Sequence, residues 1–208
     1  GLYGDSNVGG HLAGELKYAG IDAIIVEGRT PVPSYLFIDD DRVEIRSATH
    51  LWGKGAIKTE EVLKEELGDE FQIATIGPAG ENRVVFACIN HDFGRQAGRC
   101  GMGAVMGSKN LKAIAVRGTQ GVPVADMDGL KSVATVMFRE LMQDPGLKIW
   151  QDLGLAQVTT WANSIAALPT RNFRENFYED VNGLSGELMK ETIVVGDKAC
   201  FACPMATG

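Results

Sequence analysis

Histidine and cysteine are scarce in this sequence, three of the first and four of the second among 208 residues. His11, His50 and His91 share no metal-ligand spacing. A histidine-built metal centre is therefore not indicated, and each reads as a surface or hydrogen-bonded side chain. Positive charge is also short: 20 Lys and Arg against 27 Asp and Glu give a net charge of -7, with no Lys/Arg block. That argues against a nucleic-acid binder. No apolar run reaches the length of a membrane span. No Met and no signal-peptide pattern open the chain. It starts on GLYGDSNVGG and stops at CFACPMATG, which leads us to expect an internal piece of a longer protein.

What the sequence does have is an ordinary globular balance, 45% hydrophobic and 23% charged. Its glycine is uneven: 19 of 26 fall in residues 1–121. The same region holds DAIIVEG (22–28), SYLFID (34–39), RVEIR (42–46), FQIATIG (71–77), RVVFACIN (83–90) and KAIAVRG (112–118). These β-branched runs bounded by turn residues predict strands. Thr59, the acids after it and Gly68 predict an N-capped helix. A second helix is expected over GGHLAGELKYAG, ending at Gly20. From Asp126 the spacing of Leu130, Val133, Val136, Met137 and Leu141 is helical, up to Pro145. More helix is expected at roughly 147–167. We therefore expect a β-rich domain over 1–120, a boundary in GTQGVPVAD (118–126), and a helical domain over 126–208.

Chemistry concentrates in GRQAGRCGMGAVMGSKN (94–110), where five glycines and two arginines share seventeen residues. Glycine permits close approach and positive φ, backbone amides donate to anionic oxygens, and arginine matches phosphate with a planar fork. Arg95 and Arg99 flank Gly98. SNVGG (6–10), leading into a predicted helix, is a second candidate anion loop. Tight turns with solvated arginines explain either loop equally well, and neither is a P-loop. Cys200-Phe-Ala-Cys203-Pro suits an iron–sulfur cluster, another metal, or a redox dithiol. Cys88 reads as a buried small hydrophobe, Cys100 as an ordinary loop residue, and the acidic run 39–41 as a hairpin tip.

The strings SNVGGHLAGELKYAGIDAIIVEG, ATIGPAGENRVVFACINHDFGRQAGRCGMGAVMGSKNLKAIAV and CFACP, in that order, closely resemble the aldehyde ferredoxin oxidoreductase family of tungsten or molybdenum enzymes. The resemblance covers essentially the whole chain. It implies an α+β protein: a two-sheet, β-rich N-terminal domain, here lacking its start, followed by the beginning of a helical domain. It implies a metal held by two pyranopterins whose phosphates are bridged by magnesium. Asn7 and Gly9 match pterin-site positions in the first loop, and Arg95, Gln96, Gly98 and Arg99 match them in the second. The backbone carbonyls at Asn7 and Gln96 match magnesium ligands, although the family often has Ala where this chain has Gln96. Cys200 and Cys203 match two ligands of a 4Fe–4S cluster, and Thr207 stands where a third cysteine is expected.

The activity implied is oxidation of an aldehyde to a carboxylic acid, with electrons passed through the cluster to ferredoxin. The setting implied is anaerobic and cytoplasmic, in a possible homo-oligomer. The family's proton-handling Glu and His lie beyond Gly208, so no general acid or base is assigned to this chain. A related class is the active-site subunit of a tungsten benzoyl-CoA reductase. Two further readings are a non-catalytic pterin- or phosphate-binding relative and a dithiol redox module using Cys200 and Cys203.

Overall fold

The computed structural model describes residues 3–207. The chain divides into two compact units, one ending at Pro123 and one starting at Val124. The first unit is built on six strands: β1 (Ser34–Asp39), β2 (Arg42–Ser47), β3 (Gln72–Thr75), β4 (Ile89–His91), β5 (Arg95–Ala97) and β6 (Leu111–Arg117). They form one sheet in the order β2-β1-β6-β3-β4-β5. Only β1 and β6 run parallel; every other pair is antiparallel. The resemblance implied two sheets, whereas the six strands described here make one.

Alternation along the central strands sets the two faces. Tyr35 and Phe37 of β1 and Ala113 and Ala115 of β6 pack with Leu63 of helix α2 (Ala56–Leu67). Ile38 and Val116, with Leu36 and Ile114, meet Leu12 and Leu16 of α1 (Leu12–Tyr18). Ile76 and Leu111 pack with Met106 of α4 (Met102–Ser108) on the side where Leu36 and Ile114 lie. The short α3 (Pro78–Glu81) lies against α4, where a Cβ on Gly107 would come within 1.8 Å of the Gly80 carbonyl oxygen. Glu81 pairs with the wholly buried Lys112 and accepts the Gly53 N–H at 2.9 Å, fixing α3 to β6 and to the turn before α2.

Two of the expected strands did not form as read. Residues 22–28 contain no strand, and Ile25 is 85% exposed. Of 83–90, only the last two residues are in β4, and Val85 is 82% exposed. Their β-branched composition suits a sheet, but a strand needs a neighbour for its backbone, and the described residues provide none. The helix expected to start at Thr59 starts at Ala56 with Gly55 as its cap, and the Thr59 hydroxyl donates to the Gly55 carbonyl at 2.9 Å from inside the helix.

The second unit is helical: α5 (Met127–Gln143), α6 (Pro145–Leu153), α7 (Val158–Ser164) and α8 (Gly186–Thr192). Asp126, Asp144 and Ser185 cap α5, α6 and α8 with side-chain oxygens. The helix expected at 147–167 is broken by Gly154, whose φ of 55° ends α6. Buried Asn163 donates to the Tyr178 carbonyl at 3.0 Å and accepts the Tyr178 N–H at 2.7 Å, tying the 168–178 loop to α7. Among the described residues no helix is long and apolar enough to cross a membrane.

Candidate cofactor site

Both glycine-rich loops lie in the first unit and touch each other. The Ser6 hydroxyl donates to the Gly98 carbonyl at 2.5 Å. A Cβ on Gly4 would meet the Met102 side chain at 2.9 Å and Cys100 at 3.3 Å. A third contact is made by His91, wholly buried at the end of β4. Its Nδ1 donates to the Ile73 carbonyl at 2.9 Å. Its Nε2 is then a lone-pair acceptor and takes the N–H groups of His11 and Leu12 at 3.0 and 3.1 Å. His91 thus caps α1 from a distant strand. Gly10, at φ 96°, allows it: a Cβ there would sit 2.5 Å from the ring. His11 Nδ1 lies 3.3 Å from Asp92 Oδ2 in the same junction.

This arrangement changes one expectation. The amides that open α1 are bonded to His91 instead of being offered to an anion. The exposed part of the first loop is residues 7–9, so Asn7 and Gly9 present themselves as loop positions ahead of the helix.

The second loop is carried by the β4–β5 hairpin and the turn into α4. Arg95 and Gly98 are half-buried, whereas Gln96 and Arg99 are exposed. Arg99, Cys100 and Gly101 all have positive φ, 64°, 56° and 71°. Left-handed backbone at two consecutive non-glycine residues costs on the order of 1 kcal/mol each or more, and such strain gathers at ligand clamps. Gly101 is sterically required, since a Cβ there would lie 2.2 Å from the Val85 carbonyl oxygen. Beneath the hairpin sits Glu60 of α2, 1% exposed. Its Oε2 accepts the Asn90 side-chain amide at 3.2 Å and the Phe93 N–H at 3.0 Å. The Asn90 side-chain oxygen in turn accepts the Gln96 side-chain amide at 2.5 Å. Burial pushes the Glu60 carboxyl above the ordinary range, against the Phe93 hydrogen bond and Lys64, which pull it down. Glu60 Oε1 is buried without a hydrogen-bond partner.

Sequence reasoning missed Glu60, Asn90 and His91 as parts of this site. Glu60 looked like a first-turn acid of an N-capped helix, and nothing in the spacing of Asn90 or His91 marks their partners. Cys88, read as a buried hydrophobe, is half-buried, with its Sγ 3.8 Å from a Cβ built on Gly98. His50 pairs with Glu66 at 3.0 Å on the surface. The acidic run 39–41 forms the β1–β2 turn, and the Thr119 hydroxyl and N–H hold the Asp40 carboxyl below the usual range.

Cys200 and Cys203 are half-buried in the second unit, in a turn closed by the Cys203 N–H on the Cys200 carbonyl at 3.1 Å. Gln151 donates to the Pro204 carbonyl at 3.0 Å and holds that turn to α6. Among the described residues no three His, Cys, Asp or Glu side chains converge as a metal site. Two thiolates are half of the four that a 4Fe–4S cluster takes, so the residues present do not fit a complete cluster.

A family model described as the N-terminal domain of aldehyde ferredoxin oxidoreductase matches residues 1–118, and one for domains 2 and 3 matches residues 132–208. The chain belongs to the aldehyde ferredoxin oxidoreductase family. Within it, the chain is 46% identical to the tungsten-containing aldehyde ferredoxin oxidoreductase of Thermococcus kodakarensis, over 98% of this chain and 34% of that protein. It is 33% identical to the WOR-like subunit of an aliphatic sulfonate oxidoreductase of Pyrococcus furiosus, over 92% of this chain and 32% of that protein. Among solved structures it resembles the active site complex BamBC of benzoyl coenzyme A reductase in complex with 1,5-dienoyl-CoA. There the TM-score is 0.78 at 37% identity, over 97% of this chain and 33% of that one. The chain thus spans about a third of the length of the relatives it matches.

Proposed function

We propose that this chain is the cofactor-cradling part of a tungsten or molybdenum bis-pyranopterin oxidoreductase that converts aldehydes to carboxylic acids. In this reading, residues 1–120 form the pterin-binding domain, and residues 126–208 begin the helical domain. The observation that carries it is the junction of the two loops. The Ser6–Gly98 bond and the His91 cap bring the segment with Asn7 and Gly9 beside the segment with Arg95, Gln96, Gly98 and Arg99. The donor set fits an anionic pterin: two guanidiniums, one of them exposed, on a glycine-rich backbone with a left-handed turn.

When bound, the metal–dithiolene group supplies the two-electron redox chemistry, and the chain binds and orients it. Arg95 and Arg99 neutralise phosphate, and the glycines let the ligand reach backbone amides. The carbonyls of Asn7 and Gln96 are the proposed magnesium ligands, consistent with magnesium's preference for oxygen. Cys200 and Cys203 are proposed as two of four cluster ligands, with ferredoxin as electron acceptor in a cytoplasmic protein. The test is metal and pterin analysis of protein made from the complete reading frame that encodes this chain. Arg95→Ala is expected to lower tungsten and pterin occupancy at least tenfold under limiting tungsten, as loss of a charge-assisted contact of about 1.5–3 kcal/mol requires. Unchanged occupancy would overturn the role.

A second reading is a benzoyl-CoA reductase-type active-site subunit, favoured by the likeness to BamBC. Turnover of an aromatic CoA thioester, with no turnover of aldehydes, would select it.

A further inference from the structure

The polar chain beneath the second loop has a direction. Glu60 Oε2 already accepts a backbone N–H, that of Phe93, which cannot be reversed. Asn90 meets the same oxygen with its amide nitrogen and so turns its own oxygen outward. Asn90 and Gln96 are directly opposed in the β4–β5 pairing, so their side chains share a face. Gln96 reaches the Asn90 oxygen with its amide nitrogen. Two primary amides in series then leave one acceptor at the end, Gln96 Oε1, on an exposed residue. Glu60 anchors the other end from the core, 1% exposed and bonded to the backbone of the hairpin.

We infer that Gln96 is a specificity-determining residue: its side-chain carbonyl oxygen accepts a hydrogen bond from an N–H group of the bound pterin, with its polarity fixed by Glu60 through Asn90. This rests on the reading that the second loop holds the pterin. It goes beyond that reading, because the role assigned to Gln96 there is a backbone one that an alanine could fill. The side-chain contact belongs to this sequence.

The experiment uses protein from the complete reading frame, loaded with cofactor and followed by pterin fluorescence and tungsten content through repeated desalting. Gln96→Ala and Gln96→Met, the second preserving length without an acceptor, are expected to release cofactor on the order of tenfold faster. Asn90→Leu, which cuts the chain of amides, should give a similar loss, and its combination with Gln96→Ala should add little. Gln96 is exposed, so its variants are expected to fold, and wild-type retention in both would overturn the inference. So would a Gln96→Ala effect that vanishes when magnesium is chelated, since the oxygen would then serve a cation. Arg95→Ala separates the two levels. If it releases cofactor while the Gln96 variants do not, only this inference fails; if none of them matters, the pterin reading of the loop fails with it.

Discussion

Replacing His91 by phenylalanine keeps a ring of similar shape and removes both nitrogens. Three hydrogen bonds disappear: Nδ1 to the Ile73 carbonyl, and the N–H groups of His11 and Leu12 to Nε2. The two amides have no intrahelical alternative, because they open α1, and Gly10 holds the ring against them. At about 1–2 kcal/mol for each donor left unsatisfied, the local cost is about 2–4 kcal/mol. That corresponds to amide exchange faster by about 30-fold to several hundredfold, if exchange follows local opening. The assay is hydrogen–deuterium exchange read on peptides covering residues 8–18, with β6 as internal reference. Protection should fall in α1 and persist in β6. His91→Gln, which can present one carbonyl oxygen to the same amides, should restore part of it. Unchanged exchange at His11 and Leu12 in His91→Phe would show that the ring does not hold the helix, and the account of how the loops are joined would fall with it.

Further outcomes follow from other groups. Burial raises the Glu60 carboxyl above its ordinary value of 4.5, so its stabilising share is full below about 4.5 and is lost as pH rises through the shifted value. Glu60→Gln should therefore match wild type in urea midpoint at low pH and become relatively more stable toward neutrality; a pH-independent difference would contradict the sign. Asn163→Ala removes two bonds to Tyr178 and should cost about 1–3 kcal/mol, seen as faster proteolysis within 168–178 with β-unit fragments unaffected. The chain of 208 residues, with Cys200 and Cys203 and with Thr207 at the third position, should not retain a 4Fe–4S cluster after anaerobic reconstitution and desalting. About four irons per chain with a reduced-cluster EPR signal, absent from Cys200→Ser, would refute that.

Strands β1, β2, β3 and β6 were legible because their alternation is local and their ends are marked by turn residues. SYLFID coincides with β1, and RVEIR falls within β2. Residues 22–28 carry the same composition but no partner among the described residues, and pairing is not encoded in a run by itself. The start of α2 was misplaced because Thr59 fits the cap pattern, while Gly55 takes the extended backbone that a cap needs. At the candidate site, the glycine loops were visible as loops. Their meeting was not, because it depends on Ser6 reaching Gly98 across 92 positions and His91 reaching Leu12 across 79. Glu60 illustrates the deeper reason: an acid on a helix is assigned to solvent by pattern, and only the hairpin folded over it makes it a buried anchor.

The His91 cap also sets an order of assembly. A helix of seven residues has little independent stability in water, and α1 borrows its first turn from a ring near the far end of the unit. That ring is placed by the Ile73 carbonyl, so β3 and β4 must be paired before α1 can begin. Closing a loop of this length is entropically slow to reward. In a refolding experiment, amides of β3 and β6 should gain protection before those of α1. The first glycine loop, fastened to the start of α1, would then take its final shape as one of the last events on the folding path, so a ligand that needs both loops meets a sheet that is already complete.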